Sequence, residues 1–539
     1  MRKHIETIDW GRYLLLFVAV LPLFLFRDLT LDNELRYLSI ADEALREGHL
    51  FAFYNHGAAY ADKPPLYLWL VMAGRLIFGG NLTGLMVWMS LFSVVPALMI
   101  LRVMNRWVRP AVESVSARRA AQLMLYTSVY FIGSAVVLRM DMLMCLFIVL
   151  ALHTFWRLYS GVAQAEGRET RDGWLFPVWI FLAVFSKGPV GILVPLVSIP
   201  LFLLVRKKGK TIGRYWGWRT WGVLLGLCAV WFGAVYVEGG TAYLDNLLVK
   251  QTAGRAVDAF HHKAPWWYYG VSIWYSLAPW SLLVIGVLGW VLWSRRRRTE
   301  AGELERLFWI VAFSTLAVLS MVSSKIQIYL LPAFPFFVYG AVLAMSRLGT
   351  RRWMSWLVGI PAGVFVLVFP GLFAAERFLP ELPLFGSLFI PVGGAILSRA
   401  AAGAIVWLVR GRLHTAITTL AGGWLGAIFI ISFAVPQFNG HIGMGDVCGA
   451  ARTVGEAAGI ENYYTYDIRR AENIDAYLGR PVELIDAAAE LAGVDRGIVI
   501  TRKQRIGNDS TLTRVFAGQE VHRVGNYAFG VIHKNDDER

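Results

Sequence analysis

The chain is 539 residues long, 57% hydrophobic and only 17% charged, with a mean hydropathy of +0.52. Soluble domains run nearer about 45–50% apolar and about 25% charged, so a single soluble domain is excluded, as are disordered and collagen-like chains. The net charge of +15 is no nucleic-acid signal: residues 437–539 hold 12 Lys/Arg against 15 Asp/Glu, so the rest carries +18, spread over short loops between apolar blocks.

Those blocks are about 20 residues long, the length of helix that crosses a bilayer. In chain order, Arg2 and Lys3 precede an apolar run from Tyr13 to Phe26, but Glu6 and Asp9 interrupt the basic stretch and no A-x-A site follows. The sequence therefore predicts an uncleaved first transmembrane helix. Thirteen spans are predicted, at 11–30, 82–103, 119–137, 142–158, 174–186, 188–205, 220–237, 268–293, 305–322, 327–346, 353–374, 386–408 and 414–435. With the N-terminus inside, the inner loops collect Arg102, Arg106, Arg109, Arg118 and Arg119, then Arg157, Arg168 and Arg171, then the run Arg206 to Arg219, Arg295–Arg298, Arg347, Arg351, Arg352, Arg410 and Arg412. The opposite short loops hold the isolated cations Arg139, Lys187 and Lys325. This alternation is the positive-inside pattern and places the tail outside.

Two outer loops are long. In loop 31–81, Leu35, Leu38, Ala41 and Leu45 fall at helical spacing and predict an amphipathic helix over Asn33–Gly48. A second short helix is predicted after Pro64-Pro65, over Leu66–Phe78. Loop 238–267 is rich in His and Lys. In the tail, strands are predicted at Tyr463–Ile468, Val482–Ile485, Gly497–Thr501 and Tyr527–His533, with helices over 447–458 and 470–478 between them. The expected fold class is thus a polytopic α-helical membrane protein with about 13 transmembrane helices, outer juxtamembrane helices and a small C-terminal α/β domain. The division is a membrane part at 1–436 and a soluble part at 437–539. Three cysteines, two of them in apolar blocks, leave no disulfide framework and no cysteine-based zinc site.

Charged groups on the outer rim of a membrane protein are costly and read as functional by default. They occur here in LDNELRY (Leu31–Tyr37), YADKPPLYLW (Tyr60–Trp69), VLRMDMLMCLF around Asp141, FSKGPVG around Lys187, RAVDAFHHKAPWWYY (Arg255–Tyr269) and SSKIQIYLLP around Lys325. No GxxxxGK[ST] motif and no GxGxxG after a strand is present to cradle a soluble nucleotide. A membrane enzyme facing outward can instead take an activated group from a lipid phosphate. Such a donor needs cations around its phosphate, and Arg36, Lys63, Lys187, Arg255, Lys263 and Lys325 supply candidates. The carboxylates are then free to orient or deprotonate an acceptor, or to steady an oxocarbenium-like centre. Asp62 with His262 is a candidate pair of ligands for a divalent metal.

These motifs, in this order, resemble those of the GT-C glycosyltransferases of the aminoarabinose transferase and protein O-mannosyltransferase group. The resemblance runs from about residue 10 to 345, and the HHKAPWWYY and KIQIYLLP segments favour the aminoarabinose transferase branch. It implies GT-C architecture with thirteen spans, two juxtamembrane helices and a C-terminal periplasmic domain. It also implies transfer of a sugar from a polyprenyl phosphate, typically undecaprenyl phosphate, to lipid A. By position, the family's Asp-Glu pair falls on Asn33-Glu34, ahead of Arg36 and Tyr37, with Asp32 one place earlier. The sequence departs there, because Asn33 stands where an Asp is expected, and again at Asp62, where the family carries Glu. Asp141 matches the second acidic position, and Tyr329 matches the Tyr near the lipid phosphate.

The resulting expectation is an inverting glycosyltransferase of a bacterial inner membrane, with its active site and C-terminus periplasmic. Asp141, Glu34 and Asp32 are the catalytic candidates, with Asp32 offered either as the cap of the following helix or as a substitute base. Asn33, Arg36, Tyr37, Tyr60, Lys63, Lys187, Arg255, Lys263, Lys325 and Tyr329 are the substrate-binding candidates. The expected partners are a polyprenyl-phosphate-linked sugar donor, a lipid or glycan acceptor and membrane lipids, with no nucleic acid. The rival readings are a protein O-mannosyltransferase-like enzyme and, from another class, a lipid-linked sugar transporter or flippase.

Overall fold

The computed structural model describes residues 10–249, 264–323, 325–378, 384–516 and 519–533. The chain divides into two compact units. The first comprises Met1–Pro22, Ala61–Tyr67 and Met86–Ile431, and the second Leu23–Tyr60, Leu68–Leu85 and Ser432–Arg539.

The first unit is helical. Among the described residues, seven helices are long and apolar enough to cross a membrane: Leu82–Val108, Asp141–Tyr159, Trp218–Val249, Glu303–Met321, Gln327–Leu348, Phe389–Val409 and Leu413–Ser432. Counting each bent helix pair as one span raises this to nine, and Val190–Val205 and Ser281–Trp293 are shorter apolar helices. Helix Trp218–Asp245 buries only Thr220, Leu224, Trp231, Val235 and Tyr243. A long apolar helix that leaves most of its side chains outward is suited to lipid, where all backbone polar groups must be satisfied within the helix. The predicted segment 119–137 is broken into Val115–Tyr126 and Val129–Val136. The short segment predicted at 174–186 lies inside a helix of 19 residues, Glu169–Lys187, whose charged first turn had hidden its true start.

Helices Asp141–Tyr159 and Glu169–Lys187 are joined by a short connection and run antiparallel, so the first residue of one meets the last residue of the other. At the opposite end Arg157 Nε donates to Asp172 Oδ2 over 2.7 Å. Gly191, at the start of helix Val190–Val205, lies against the backbone of Ala183, and a Cβ there would fall 2.4 Å from its carbonyl carbon. Only glycine permits that approach.

In the second unit a π-helical turn, Leu31–Leu35, leads into helix Arg36–Glu47, which ends on Gly48 in the left-handed conformation (φ +80°). Strands β1 (Tyr54–Asn55) and β2 (Ala58–Ala59) form a small hairpin, and helix Pro65–Phe78 begins with its proline at the first position, where no backbone donor is needed. The C-terminal residues form a five-stranded sheet from β3 (Tyr463–Tyr466), β4 (Val482–Ile485), β5 (Arg496–Arg502), β6 (Val521–Val524) and β7 (Tyr527–His533), in the order β4-β3-β5-β7-β6. The first three strands are parallel, and β7 runs antiparallel to β5 and β6. Strand alternation sends Ile498 and Ile500 to one face, under helix Gly445–Ala458, and Val499 to the other, with Leu512 and Phe516. The sheet is therefore buried on both faces.

Strand β6 has no counterpart among the predicted elements. Its sequence, VHRV, carries two polar residues, and its signal is the two-residue Gly525-Asn526 turn into β7. The second unit also joins the first outer loop to the tail. Ser39 Oγ donates to Asp475 (2.8 and 3.0 Å to its two oxygens) and lies 3.0 Å from His56 Nε2. Glu43 accepts the backbone amides of His56 and Gly57 (2.6 and 2.9 Å). Burial holds the Asp475 carboxyl above the ordinary carboxylate range.

Candidate active site

In the first unit the site begins at a helix end. Val137 is extended, and the chain turns helical at Asp141, whose carboxylate sits in the first turn with no exposed surface. A helix N-terminus favours an anion. Lys187 is the last residue of its own helix because Gly188 (φ +94°) breaks it there, and a helix C-terminus favours a cation. The antiparallel pairing brings these two ends together. Lys187 Nζ is bonded to Asp141 Oδ1, and Arg139 Nε donates to Asp141 Oδ2 over 3.1 Å. The side chains of Asp141 and Lys187 are 0% and 3% exposed, so both charges are out of water. Breaking such a pair from one side costs about 3–5 kcal/mol, since it leaves a buried charge uncompensated.

Tyr329 completes this face. It lies on the 3-10 segment Gln327–Ala333, and Lys187 Nζ stands 4.6 Å from the centre of its ring. Arg139 and Lys63 are the other cations whose charge Lys187 feels. One buried carboxylate is thus bonded by two cations. Lys63 is half-buried beside Asp62, just ahead of the rigid Pro64-Pro65 pair. Lys325 is also buried, but its ammonium donates to the backbone carbonyls of Val322 (2.6 Å) and Ala264 (3.0 Å). Two of its three donors are therefore spent on fixing the chain that leads to Tyr329. Tyr269 assists, donating to the carbonyl of Ile326 over 3.1 Å.

The remaining candidates lie in the second unit. Glu34, 1% exposed, receives both terminal nitrogens of Arg27 (2.7 and 2.5 Å) as well as the backbone amide and hydroxyl of Thr30 (2.8 and 2.9 Å). Thr30 precedes the π-helical turn, so Thr30 with Glu34 acts like a capping box stretched by one residue. This corrects the reading of Asp32 as a helix cap: Asp32 sits within the turn, makes no cap hydrogen bond, and is 60% exposed at 3.6 Å from Arg470. Asn33 is half-buried in the same turn, and Tyr37 is buried in the helix that follows. Arg36 stacks over the Tyr60 ring at 5.2 Å, and its Nε has no hydrogen-bond partner among the described residues.

Arg255, His262 and Lys263 lie outside the described residues. Among the described residues no group of three or more His, Cys, Asp and Glu gathers as a metal site. Sequence reasoning missed two members of these clusters. Arg139 was read only as a loop cation, although its place two residues before Asp141 in LRMDM was the available signal. Arg27 was given no role, and nothing in the sequence pairs it with Glu34.

No protein-family model matches the chain. Among curated relatives, it is 26% identical over 447 residues to an undecaprenyl phosphate-alpha-4-amino-4-deoxy-L-arabinose arabinosyl transferase of Edwardsiella ictaluri, covering 79% of this chain and 75% of that one. It is 27% identical over 324 residues to the corresponding transferase 1 of Pseudomonas fluorescens, covering 58% and 53%. The chain spans between about half and three quarters of the length of these relatives. Among solved structures, ArnT from Cupriavidus metallidurans bound to undecaprenyl phosphate superimposes with a TM-score of 0.72 at 16% identity, over 97% of both chains. The chain has the GT-C fold of ArnT. The ordered motifs from LDNELRY to KIQIYLLP and this near-complete superposition are independent signs of the same resemblance to the aminoarabinose transferases. Within the ArnT-like fold, Asp141, Lys187 and Tyr329 come from three stretches far apart in sequence and meet on one face of the first unit.

Proposed function

We propose that the chain is a glycosyltransferase that moves a sugar from undecaprenyl phosphate to a lipid A-type or polysaccharide acceptor on the periplasmic face of a bacterial inner membrane. The observation that carries this reading is the surplus of cations around Asp141. Arg139 and Lys187 both bond that one carboxylate, and this surplus suits a phosphate. In transfer, the bond between the sugar's anomeric carbon and the phosphate oxygen breaks while an acceptor oxygen, either an ionised phosphate oxygen of lipid A or a hydroxyl whose proton passes to Asp141, attacks that carbon from the opposite face. The phosphate leaves with its negative charge and needs no proton, and the cations stabilise that developing charge in a poorly solvated place. Lys63 and Lys187 are assigned to the phosphate, with Tyr329 holding Lys187 in place. Asp141 orients the acceptor and steadies positive charge growing on the sugar ring. In the second unit, Arg36 and Tyr60 are assigned to substrate contact, with Glu34 in support.

The reading includes thirteen spans, with residues 437–539 as a soluble periplasmic domain. The charge distribution supports it, since the tail carries −3 and the membrane part +18. Alkaline phosphatase fused after Arg539 should be active and fused after Arg298 inactive; the reverse would overturn this topology. The reaction is tested with purified chain in lipid nanodiscs, given undecaprenyl-phosphate-linked 4-amino-4-deoxy-L-arabinose and lipid A. Mass spectrometry should find a glycosylated acceptor with release of undecaprenyl phosphate. Movement of the donor across the bilayer with no covalent product would replace the enzyme by a flippase.

A further inference from the structure

A second cavity lies in the first unit, away from the cluster around Asp141. It measures about 550 Å³ and is lined by residues of three helices, Trp10–Val18, Val115–Tyr126 and Leu413–Ser432. The helical stretch from Val115 to Val136 carries the chain from this cavity towards Arg139 and Asp141, so the two sites sit at opposite ends of that stretch. Its volume falls within the range of about 300–1,000 Å³ typical of small-ligand sites. Arg12, Arg119 and His414 line it, together with Leu16 and Thr415, and no carboxylate is among the described lining residues. The first turns of helices Val115–Tyr126 and Leu413–Ser432, with the positive ends of their dipoles, add to the side-chain charge.

Gln122 supplies an independent sign of a ligand. It lines the same cavity and is 1% exposed, and its Oε1 has no hydrogen-bond partner among the described residues. Its Nε2 is already engaged, donating to Tyr13 Oη over 2.9 Å. A buried amide oxygen left without a donor costs about 1–3 kcal/mol, so the site calls for a donor from outside the protein. An anion alone would leave that oxygen unmatched. A phosphodiester that also carries a hydroxyl satisfies both halves of the lining: its charge meets Arg12 and Arg119, and its hydroxyl donates to Gln122. Leu16 provides the apolar wall against which a lipid's glyceryl and acyl parts can lie.

We propose that this cavity binds the phosphodiester headgroup of an anionic, hydroxyl-bearing phospholipid of the phosphatidylglycerol class. The cavity lies at the end of the fold that carries Arg102 and Arg106, in the last turns of helix Leu82–Val108, and Arg109 just after it, which is where an anionic leaflet would supply such a lipid. The inference does not depend on the transfer reaction.

The test is lipid retention by the purified full-length chain, read by native mass spectrometry after extraction from vesicles of equal phosphatidylglycerol and phosphatidylcholine. The wild-type chain should retain phosphatidylglycerol preferentially, and less of it as salt rises. Arg12→Gln/Arg119→Gln should lower that preference on the order of tenfold or more. Arg12→Lys/Arg119→Lys should restore most of it, and Arg296→Gln/Arg298→Gln, which lies outside the cavity, should leave it unchanged. Equal retention of the two lipids by the wild-type chain would overturn the proposal even if the double Gln variant fails to fold. Displacement of phosphatidylglycerol by millimolar inorganic phosphate, with no selection between the two lipids, would assign the cavity to the free anion and overturn it too.

Discussion

Helices Asp141–Tyr159 and Glu169–Lys187 are clamped at both ends by ion pairs, and the two clamps are opposites. At one end a single buried carboxylate, Asp141, is shared by two cations, Arg139 and Lys187. At the other Arg157 is shared by two carboxylates, Asp172 and Glu166 (2.7 and 2.9 Å), and Glu166 also meets Arg168 at 3.5 Å. Each end even carries a lysine over a tyrosine ring: Lys187 over Tyr329 at 4.6 Å, and Lys208 over Tyr159 at 4.4 Å. What separates them is chiefly solvent. The Asp141 end is dry and positively charged to excess, whereas the Arg157 end is only part-buried: Asp172 is 6% exposed, but Glu166 is 43% exposed and water screens its pairs. The same structural device therefore closes a hairpin at one end and builds, at the other, the cation-rich face proposed to bind phosphate.

The largest expected difference comes from removing the shared acid at each end. Asp141→Asn leaves Lys187 and Arg139 buried against a neutral group. We expect a stability loss of about 3–5 kcal/mol and a fall in transfer of about 100- to 1000-fold per folded molecule. Asp172→Asn weakens a buried hydrogen-bonded pair but leaves Arg157 its second partner, Glu166, and should cost about 1–3 kcal/mol with turnover unchanged. Thermal melts and rates normalised to folded protein separate the two effects. Similar rate losses in both variants would erase the distinction drawn between the ends.

The lysine pair sharpens the comparison next. Lys187→Gln should lower transfer by about 30- to 1000-fold, and Lys63→Gln by a similar factor, as expected for charge contacts to a leaving phosphate. Lys208→Gln removes the same kind of lysine–tyrosine contact from the solvated end and should leave the rate within about twofold. A silent Lys187→Gln in a correctly inserted protein would reduce that residue to a partner of Asp141.

How much of this was legible in the sequence follows from the same contrast. Asp141, Lys187 and Lys325 stood out because each interrupts or borders an apolar run, where polarity is costly, whereas Tyr329 was marked only by the family resemblance. The helices were legible for the converse reason, since length and apolarity alone mark them. Arg157, Asp172 and Glu166 had no such signal, because in a charged loop one acid looks like another and only the antiparallel pairing selects partners. The π-helical turn at Leu31–Leu35 was equally hidden. Its sequence carries ordinary helix formers, and the turn depends on Arg27 and Thr30 closing on Glu34.

That turn gives a third ion pair, and it should behave like the structural end of the hairpin. Glu34 accepts four hydrogen bonds from Arg27 and Thr30, so it has little capacity left to take a proton from an acceptor. Glu34→Gln should lower stability by about 1–3 kcal/mol, through loss of the charged bonds, with a smaller effect on turnover. Asp32→Asn, at an exposed side chain, should change the melting point by less than about 1 °C. A large rate loss in Asp32→Asn with an unchanged melt would instead make Asp32 the substitute for the acid missing at Asn33.

The smallest effect is also the most specific to the solvated end. Glu166 is held below the ordinary carboxylate value, chiefly by its hydrogen bond from Arg157 and then by that guanidinium's charge. A carboxylate whose folded-state value is depressed stabilises the fold above its unfolded value and loses that contribution as the pH falls through the folded one. Acidification from about pH 5 towards pH 3 should therefore loosen the connection at residues 160–168 before it disturbs the buried Asp141 end. Because Glu166 is largely exposed, the change is small, about 1 °C in a melt, and better seen as faster amide hydrogen exchange over those residues. In Glu166→Gln that acid step should disappear, leaving exchange fast at both pH values, while exchange around Asp141 stays protected throughout. If the acid step persists in Glu166→Gln, or appears first around Asp141, then the solvated clamp is not the pH-sensitive end, and the division of labour between the two ends of the hairpin fails at its weakest link.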